Sequence, residues 1–228
     1  MNTGHQLKLQ NVSLSYPGKV LLDGVSMQFE SGQLTSLQGR NGTGKSSLLR
    51  CMAGLSSPQG GQVFIDTTPI LHLSLLDRSR LIGTLWTDRL RMPGFTLRDL
   101  VHMGTYNAQR LVHATLLDKR TDDCINALGI AHLANHSLDK LSDGELQKAM
   151  IARALAQEPC FLLLDEPTTF LDYVAKEELM QTLTVLCANQ GIGIVFTSHD
   201  IDIMDKYAQR RLELSQGKIH ELPRVSRI

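Results

Sequence analysis

Residues Gly39 to Ser46 read Gly-Arg-Asn-Gly-Thr-Gly-Lys-Ser, a Gly-x-x-x-x-Gly-Lys-Ser spacing suited to capturing a polyphosphate. Gly39, Gly42 and Gly44 let the backbone adopt positive φ and turn its N–H groups, with those of Asn41 and Thr43, toward an anion. Lys45 offers a cation to the β- and γ-phosphates, and the Ser46 hydroxyl offers a ligand to Mg²⁺. Ser47–Ala53 reads as a helix whose positive N-terminal end faces the same anion. A glycine-rich turn between strand and helix is the structural alternative. The flanks favour phosphate: Leu34 and Leu37 mark a strand over Gln33–Gln38, and Gly54 is placed to stop the helix.

Two further stretches carry chemistry. Phe161–Leu164 is a continuous apolar run, as expected of a strand buried on both faces, and it ends in Asp165-Glu166. Adjacent carboxylates at such a position are costly to bury unless they are used. Ile192–Phe196 reads as a second buried strand, ending in Thr197-Ser198-His199-Asp200. Ligands of α/β sheets bind at the carboxyl ends of strands, so His199 is a functional candidate, with a structural histidine as the alternative. Tyr16 precedes the Pro17-Gly18 turn; it could stack on a purine base or be an ordinary strand aromatic.

The elements that must position these groups follow from periodicity. Leu7–Tyr16 and Val25–Glu30 alternate as antiparallel strands, Val63–Ile65 and Leu81–Trp86 read as further strands, and Arg211–Leu214 with Lys218–Leu222 makes a closing hairpin. Thr96, with Asp99 three residues on, predicts a helix over Leu97–Met103. Thr105–Arg120 reads as helical, and Thr121-Asp122-Asp123 as the start of a short helix closed by Gly129. Ser142-Asp143-Gly144-Glu145 is a capping box opening a helix to about Gln157. Glu177–Asn189 reads as a long helix closed by Gly191. The fold class is α/β, with a helical segment between Trp86 and His136 inserted into the sheet core.

Composition narrows the function. Lys+Arg and Asp+Glu are both 23 in 228 residues, so no global positive field recruits nucleic acid. Cys51, Cys124, Cys160 and Cys187 have no C-x-x-C spacing, which favours reduced, buried thiols over zinc or redox chemistry. The start of the sequence has no charged-then-apolar pattern of a signal peptide, and no apolar run reaches membrane-spanning length. A protein of this kind that works at a membrane depends on another chain to cross it.

Taken in order, the phosphate loop, the helical insertion, Leu141-Ser142-Asp143-Gly144-Glu145 and Leu162-Leu163-Leu164-Asp165-Glu166-Pro167-Thr168 resemble the nucleotide-binding subunit of an ATP-binding-cassette (ABC) transporter. The resemblance spans nearly the whole sequence. It implies a P-loop core with an antiparallel β subdomain, over 1–86 and 158–228, and a helical subdomain over 87–157. It implies ATP and Mg²⁺ as ligands, Tyr16 as the adenine-stacking aromatic, and Asp165 as the carboxylate that holds Mg²⁺. Glu166 would orient the attacking water, and His199 would contact the γ-phosphate. Phe170-Leu171-Asp172 resembles the loop that crosses a dimer seam. Each ATP would lie between one subunit's phosphate loop and Ser142 and Gly144 of a second copy packed head to tail. Integral membrane permease subunits and, indirectly, a periplasmic or lipoprotein binding protein are the implied partners, at the cytoplasmic face of the inner membrane.

Two departures stand out. The family signature is Leu-Ser-Gly-Gly-Gln; here Asp143 and Glu145 bring carboxylates that suit a helix N-terminus but repel a triphosphate. Where the family has a glutamine touching Mg²⁺, Asp88 stands, and its carboxylate accepts but cannot donate. Phe95–Tyr106 resembles importers of iron–siderophore, haem and cobalamin complexes, and the Thr-Asp-Arg and Ser-Asp-Gly-Glu spellings resemble a Bacteroidetes-type variant. Trp86–Tyr106, with Arg89, Arg91 and Arg98, is the expected docking groove. The competing readings are a soluble cassette ATPase, such as an Fe–S assembly partner, and a small-molecule P-loop kinase.

Overall fold

The computed structural model describes residues 4–86, 92–108 and 113–223. β1 (Gln6–Tyr16) and β2 (Lys19–Glu30) form a hairpin, with Tyr16 paired to Lys19 across its tight turn. β3 (Leu34–Gln38) leads through the glycine loop into α1 (Lys45–Met52). β4 (Gly60–Ile65) and β5 (Thr68–Pro69) complete an antiparallel sheet in the order β2-β1-β4-β5. α2 (Leu75–Leu81) and β6 (Ile82–Leu85) follow, then α3 (Leu97–Met103), α4 (Ala114–Ala127) and α5 (Asp143–Leu155). β7 (Phe161–Leu164), α6 (Tyr173–Gln190), β8 (Gly193–Thr197), α7 (Ile201–Tyr207), β9 (Arg210–Ser215) and β10 (Lys218–Leu222) close the chain.

The second sheet runs β10-β9-β3-β8-β7-β6. Its strands β9, β3, β8, β7 and β6 are parallel, and β10 is antiparallel to β9. The unbroken apolar run of β7 now has its reason. Leu162 and Leu164 enter a core shared with α3, α5 and α6, whereas Phe161 and Leu163 enter a core shared with α1 and the antiparallel sheet. A period of two distributes one strand between two cores. The four cysteines are free, and burial raises the thiols of Cys51 and Cys187 to about 11 and Cys124 to about 12.

Several boundaries differ from the sequence reading. β2 begins at Lys19, not Val25, because the two-residue turn lets pairing start at once. Thr121 does not open a helix; it lies within α4, buried, with its hydroxyl donating to Leu117 O at 2.9 Å. Leu117, Thr121 and Ile125 share the inward face of that helix at four-residue spacing. Gly129 does follow its end in the left-handed region, at φ 68°. α6 starts at Tyr173, not Glu177, since the Asp172 carboxylate accepts from Ala175 N at 2.8 Å and caps it. α2 was not anticipated: it buries none of its residues, so no apolar stripe announces it.

Candidate nucleotide site

The carboxyl ends of β3, β7 and β8 bring the chemical residues to one place. Gly39 has φ 153°, and a Cβ there would stand 2.6 Å from Leu214 O, so only glycine lets β3 turn into the loop. Gly42 and Gly44 also take positive φ. Thr43 Oγ1 donates to Arg40 O at 2.9 Å, closing the loop on itself. Lys45 Nζ donates to Gly39 O at 2.8 Å and to Arg40 O at 3.4 Å. The ammonium therefore lies along the mouth of the loop, and burial, opposed by the charges of Glu166 and Asp165, lowers its pKa.

At the end of β7, Asp165 is 5% exposed, and Thr197 Oγ1 donates to its Oδ1 at 2.8 Å. Among the described residues Asp165 has no ion-pair partner. A buried, unneutralised carboxylate beside a serine hydroxyl is the oxygen donor set of a hard cation, so Asp165 and Ser46 fit Mg²⁺. Glu166 takes φ 53°, a costly conformation for a non-glycine residue that clusters at functional sites. Its N–H donates to Thr197 Oγ1 at 2.9 Å and its carbonyl accepts from Gln147 Nε2 at 2.9 Å. Burial pushes the Glu166 carboxyl above the usual carboxylate range, against the pull of His199 and Lys45. His199 Nε2 lies 3.1 Å from Glu166 Oε1, close enough for an ion pair when the ring is protonated.

Tyr16, Asn41, Gly42, Gly44, Lys45, Ser46, Ser47, Asp165, Glu166 and His199 line one open cavity of about 400 Å³ with Lys19 and Leu21. Tyr16 is exposed on its rim, its hydroxyl 3.5 Å from Ser47 Oγ. Gly39 and Thr43 shape the loop behind that wall. Ser142, Gly144 and Asp172 do not line this cavity, and Asp88 lies outside the described residues, as do Arg89 and Arg91. Sequence reasoning missed Lys19, whose Nζ donates to Gly42 O at 2.6 Å, and Thr197, which holds both acidic residues. A lysine immediately after a turn and a threonine at a strand end carry no local signal; only the pairing of strands reveals them.

The Ser142 segment forms the capping box expected of it. Glu145 N donates to Ser142 Oγ at 3.3 Å, while Ser142 N and Oγ both donate to Glu145 Oε2 at 2.8 Å. Those bonds hold the Glu145 carboxyl below its usual range. Gly144 packs so closely that a Cβ would meet Leu171 Cδ2 at 2.8 Å. Arg98, expected in a docking groove, pairs with Asp122 and Asp118 of α4.

Residues 22–169 match the family described as ABC transporter. The chain belongs to it. The ferric enterobactin transport ATP-binding protein FepC of Escherichia coli is 34% identical over 218 residues, 94% of this chain and 80% of that protein. The hemin import ATP-binding protein HmuV of Photobacterium damsela subsp. piscicida is 33% identical over 225 residues, covering 93% and 81%. The phosphonates import ATP-binding protein PhnC 2 of a Nostoc strain is 33% identical over 221 residues, covering 93% and 91%. The ATP-binding cassette MJ0796, solved as a dimer in a post-hydrolysis state with ADP and Pi, superposes with a TM-score of 0.86 at 28% identity, covering 96% and 99%. The chain is an ABC-type ATPase.

Proposed function

We propose that this chain hydrolyses ATP in a head-to-tail pair and so drives import of an iron complex, of the siderophore, haem or cobalamin type, through separate membrane subunits. The observation that carries the hydrolytic half is the convergence of Lys45, Asp165, Glu166 and His199 on one cavity. Tyr16 stacks on the base, and the loop amides with Lys45 hold the β- and γ-phosphates. Mg²⁺, when held by Ser46 and Asp165, supplies positive charge against the phosphate oxygens. Glu166 orients a water in line with the γ-phosphorus; the new P–O bond forms as the bond to the β,γ-bridging oxygen breaks, releasing ADP and phosphate. Lys45 and the amides stabilise the charge that spreads over the γ-oxygens. His199, beside Glu166, stands on the γ side of the cavity.

The paired state rests on an exposed apolar edge. Tyr173, Val174, Phe170 and Ile201 are 69%, 64%, 42% and 59% exposed, and all follow the carboxyl ends of β7 and β8. A second copy covering that edge would bring its Ser142–Glu145 turn to this chain's phosphates. Residues 87–157 then act as the helical lobe and 1–86 with 158–228 as the core, consistent with the mutual packing of α3, α4 and α5.

Membrane coupling is supported by a second apolar surface. Leu71, Leu75 and Leu76 are exposed on and before α2, and α2 packs against the turn carrying exposed Tyr106. Among the described residues no helix is long and apolar enough to cross a bilayer. Likeness to importer ATP-binding proteins supports a place at the cytoplasmic face of the inner membrane beside a permease. Likeness to FepC and HmuV supports an iron-complex cargo. The test is a mild-detergent pull-down from native membranes with mass spectrometry. A polytopic partner whose own relatives carry metal chelates is expected. A soluble partner alone would overturn transport, and a permease for phosphonates would overturn the cargo.

A further inference from the structure

Gln147 sits on α5 five residues beyond Ser142, 8% exposed. Its Nε2 donates to Glu166 O at 2.9 Å, while its Oε1 is buried with no hydrogen-bond partner among the described residues. Burying an amide with half its valence unmet is poor packing; a leucine or methionine would fill the space at less cost. The bond it does make falls on the most constrained peptide of the site. Glu166, at φ 53°, is pinned in front by Thr197 Oγ1 on β8 and behind by Gln147. The same helix lies close to the chain a second time, where a Cβ on Gly144 would meet Leu171 Cδ2 at 2.8 Å and Phe170 O at 3.1 Å. α5 thus grips the segment after β7 at both ends.

We propose that Gln147 is a positioning residue for Glu166, tying the helix that begins at Ser142 to the carboxylate that orients the attacking water. The inference rests on the ATPase reading above and extends it. A displacement of α5, whose N-terminus is offered to a second copy's nucleotide, pulls on the Glu166 carbonyl and turns its side chain. The signature turn and the hydrolytic carboxylate of one chain are then mechanically one unit. Gln147 does not line the nucleotide cavity; it acts through Glu166.

The test is steady-state ATP hydrolysis by the full chain carrying Gln147→Met or Gln147→Glu, which keep the length of the side chain and remove the amide donor. The expected result is a fall in kcat of about tenfold, the worth of one buried hydrogen bond in a barrier. In Gln147→Met the KM for ATP and the melting temperature stay at wild-type values, whereas Gln147→Glu also melts lower because it buries a carboxylate against the Glu166 carbonyl. In a Glu166→Gln background, adding Gln147→Met should leave the residual rate unchanged, because groups acting as a unit are not additive. Unchanged kcat in both variants overturns the inference. So does a joint loss of kcat, KM and melting temperature in Gln147→Met, which marks a packing role, or a further multiplicative drop in the double variant. Wild-type turnover separates the two readings. A wild-type chain unable to hydrolyse ATP sinks the ATPase assignment and this inference with it, whereas normal wild-type turnover matched by both variants sinks this inference alone.

Discussion

The strand-end cavity and the edge running from Ser142 to Val174 use similar material to opposite ends. In the cavity, polar groups line an open space: the buried Lys45 ammonium lies at the loop mouth, buried Asp165 has no ion-pair partner among the described residues, and Tyr16 is exposed on the rim. Along the edge, polar groups are consumed by the chain itself. Ser142 and Glu145 satisfy each other, Asp172 caps α6, and exposed Phe170, Tyr173 and Val174 surround them. The first region suits a small charged ligand, and the exposed apolar side chains of the second suit another protein surface. The difference teaches that one chain presents two unlike surfaces, and under the proposed pairing each is completed by a second copy rather than by the other.

The largest expected effect lies in the cavity. Glu166→Gln should lower kcat by roughly 10²–10⁴, the usual worth of a proton-accepting or water-orienting carboxylate, and should leave ATP bound. It also has a stability signature. Burial raises the Glu166 pKa in the fold, so the folded state binds more protons than the unfolded one and stability falls as pH rises from the ordinary carboxylate range through the raised value. The variant escapes that loss. Its melting temperature should exceed wild type at neutral pH, and the gap should close under acid. A gap that persists at low pH would mean that charge at Glu166 is not what strains the site.

The next effect belongs to the edge. Tyr173→Asp together with Val174→Asp places charge on a surface meant to be desolvated, at a cost of several kcal/mol per pairing event. Sedimentation with ATP should show a monomer at concentrations where wild type pairs, with the affinity of the single chain for ATP preserved. A dimer that survives both changes puts the seam elsewhere on the molecule. An equal loss of ATP affinity would erase the distinction between the two regions.

How far the sequence disclosed this division depends on whether the signal is local. Gly39–Ser46, the Asp165-Glu166 step and the Ser142 and Thr96 caps are spelled within a few residues, because glycine geometry, strand burial and helix capping are local physics. Lys19, Thr197 and Gln147 owe their roles to partners 23, 31 or 32, and 19 residues away, and nothing beside them in the chain marks them out. Thr121-Asp122-Asp123 misled for the converse reason. It has the spelling of a cap, but the amphipathic face through Leu117 and Ile125 draws it inside a longer helix.

The smallest effect calibrates the others. Thr96 and Asp99 form a capping box at α3, with Thr96 N donating to Asp99 Oδ2 at 2.9 Å and Asp99 N donating to Thr96 Oγ1 at 3.2 Å. Thr96→Ala should cost about 1 kcal/mol, a fall of roughly 2–4 °C in melting temperature for a chain of this size. The box belongs to neither region, so kcat and ATP-driven pairing should not change. Its pH dependence has a definite sign. The bonds from Thr96 hold the Asp99 carboxyl below its usual range, so the stabilisation is present above the ordinary aspartate pKa and is lost as pH falls through the lowered value. Melts of wild type and Thr96→Ala should therefore differ most at neutral pH and draw closer in acid, without meeting, because the bond from Asp99 N to Thr96 Oγ1 does not titrate. For Glu166→Gln the gap instead closes, and from the opposite side: here the variant starts less stable than wild type, there more stable. If Thr96→Ala also lowered kcat, the helical lobe would be bearing on the cavity through more than α5.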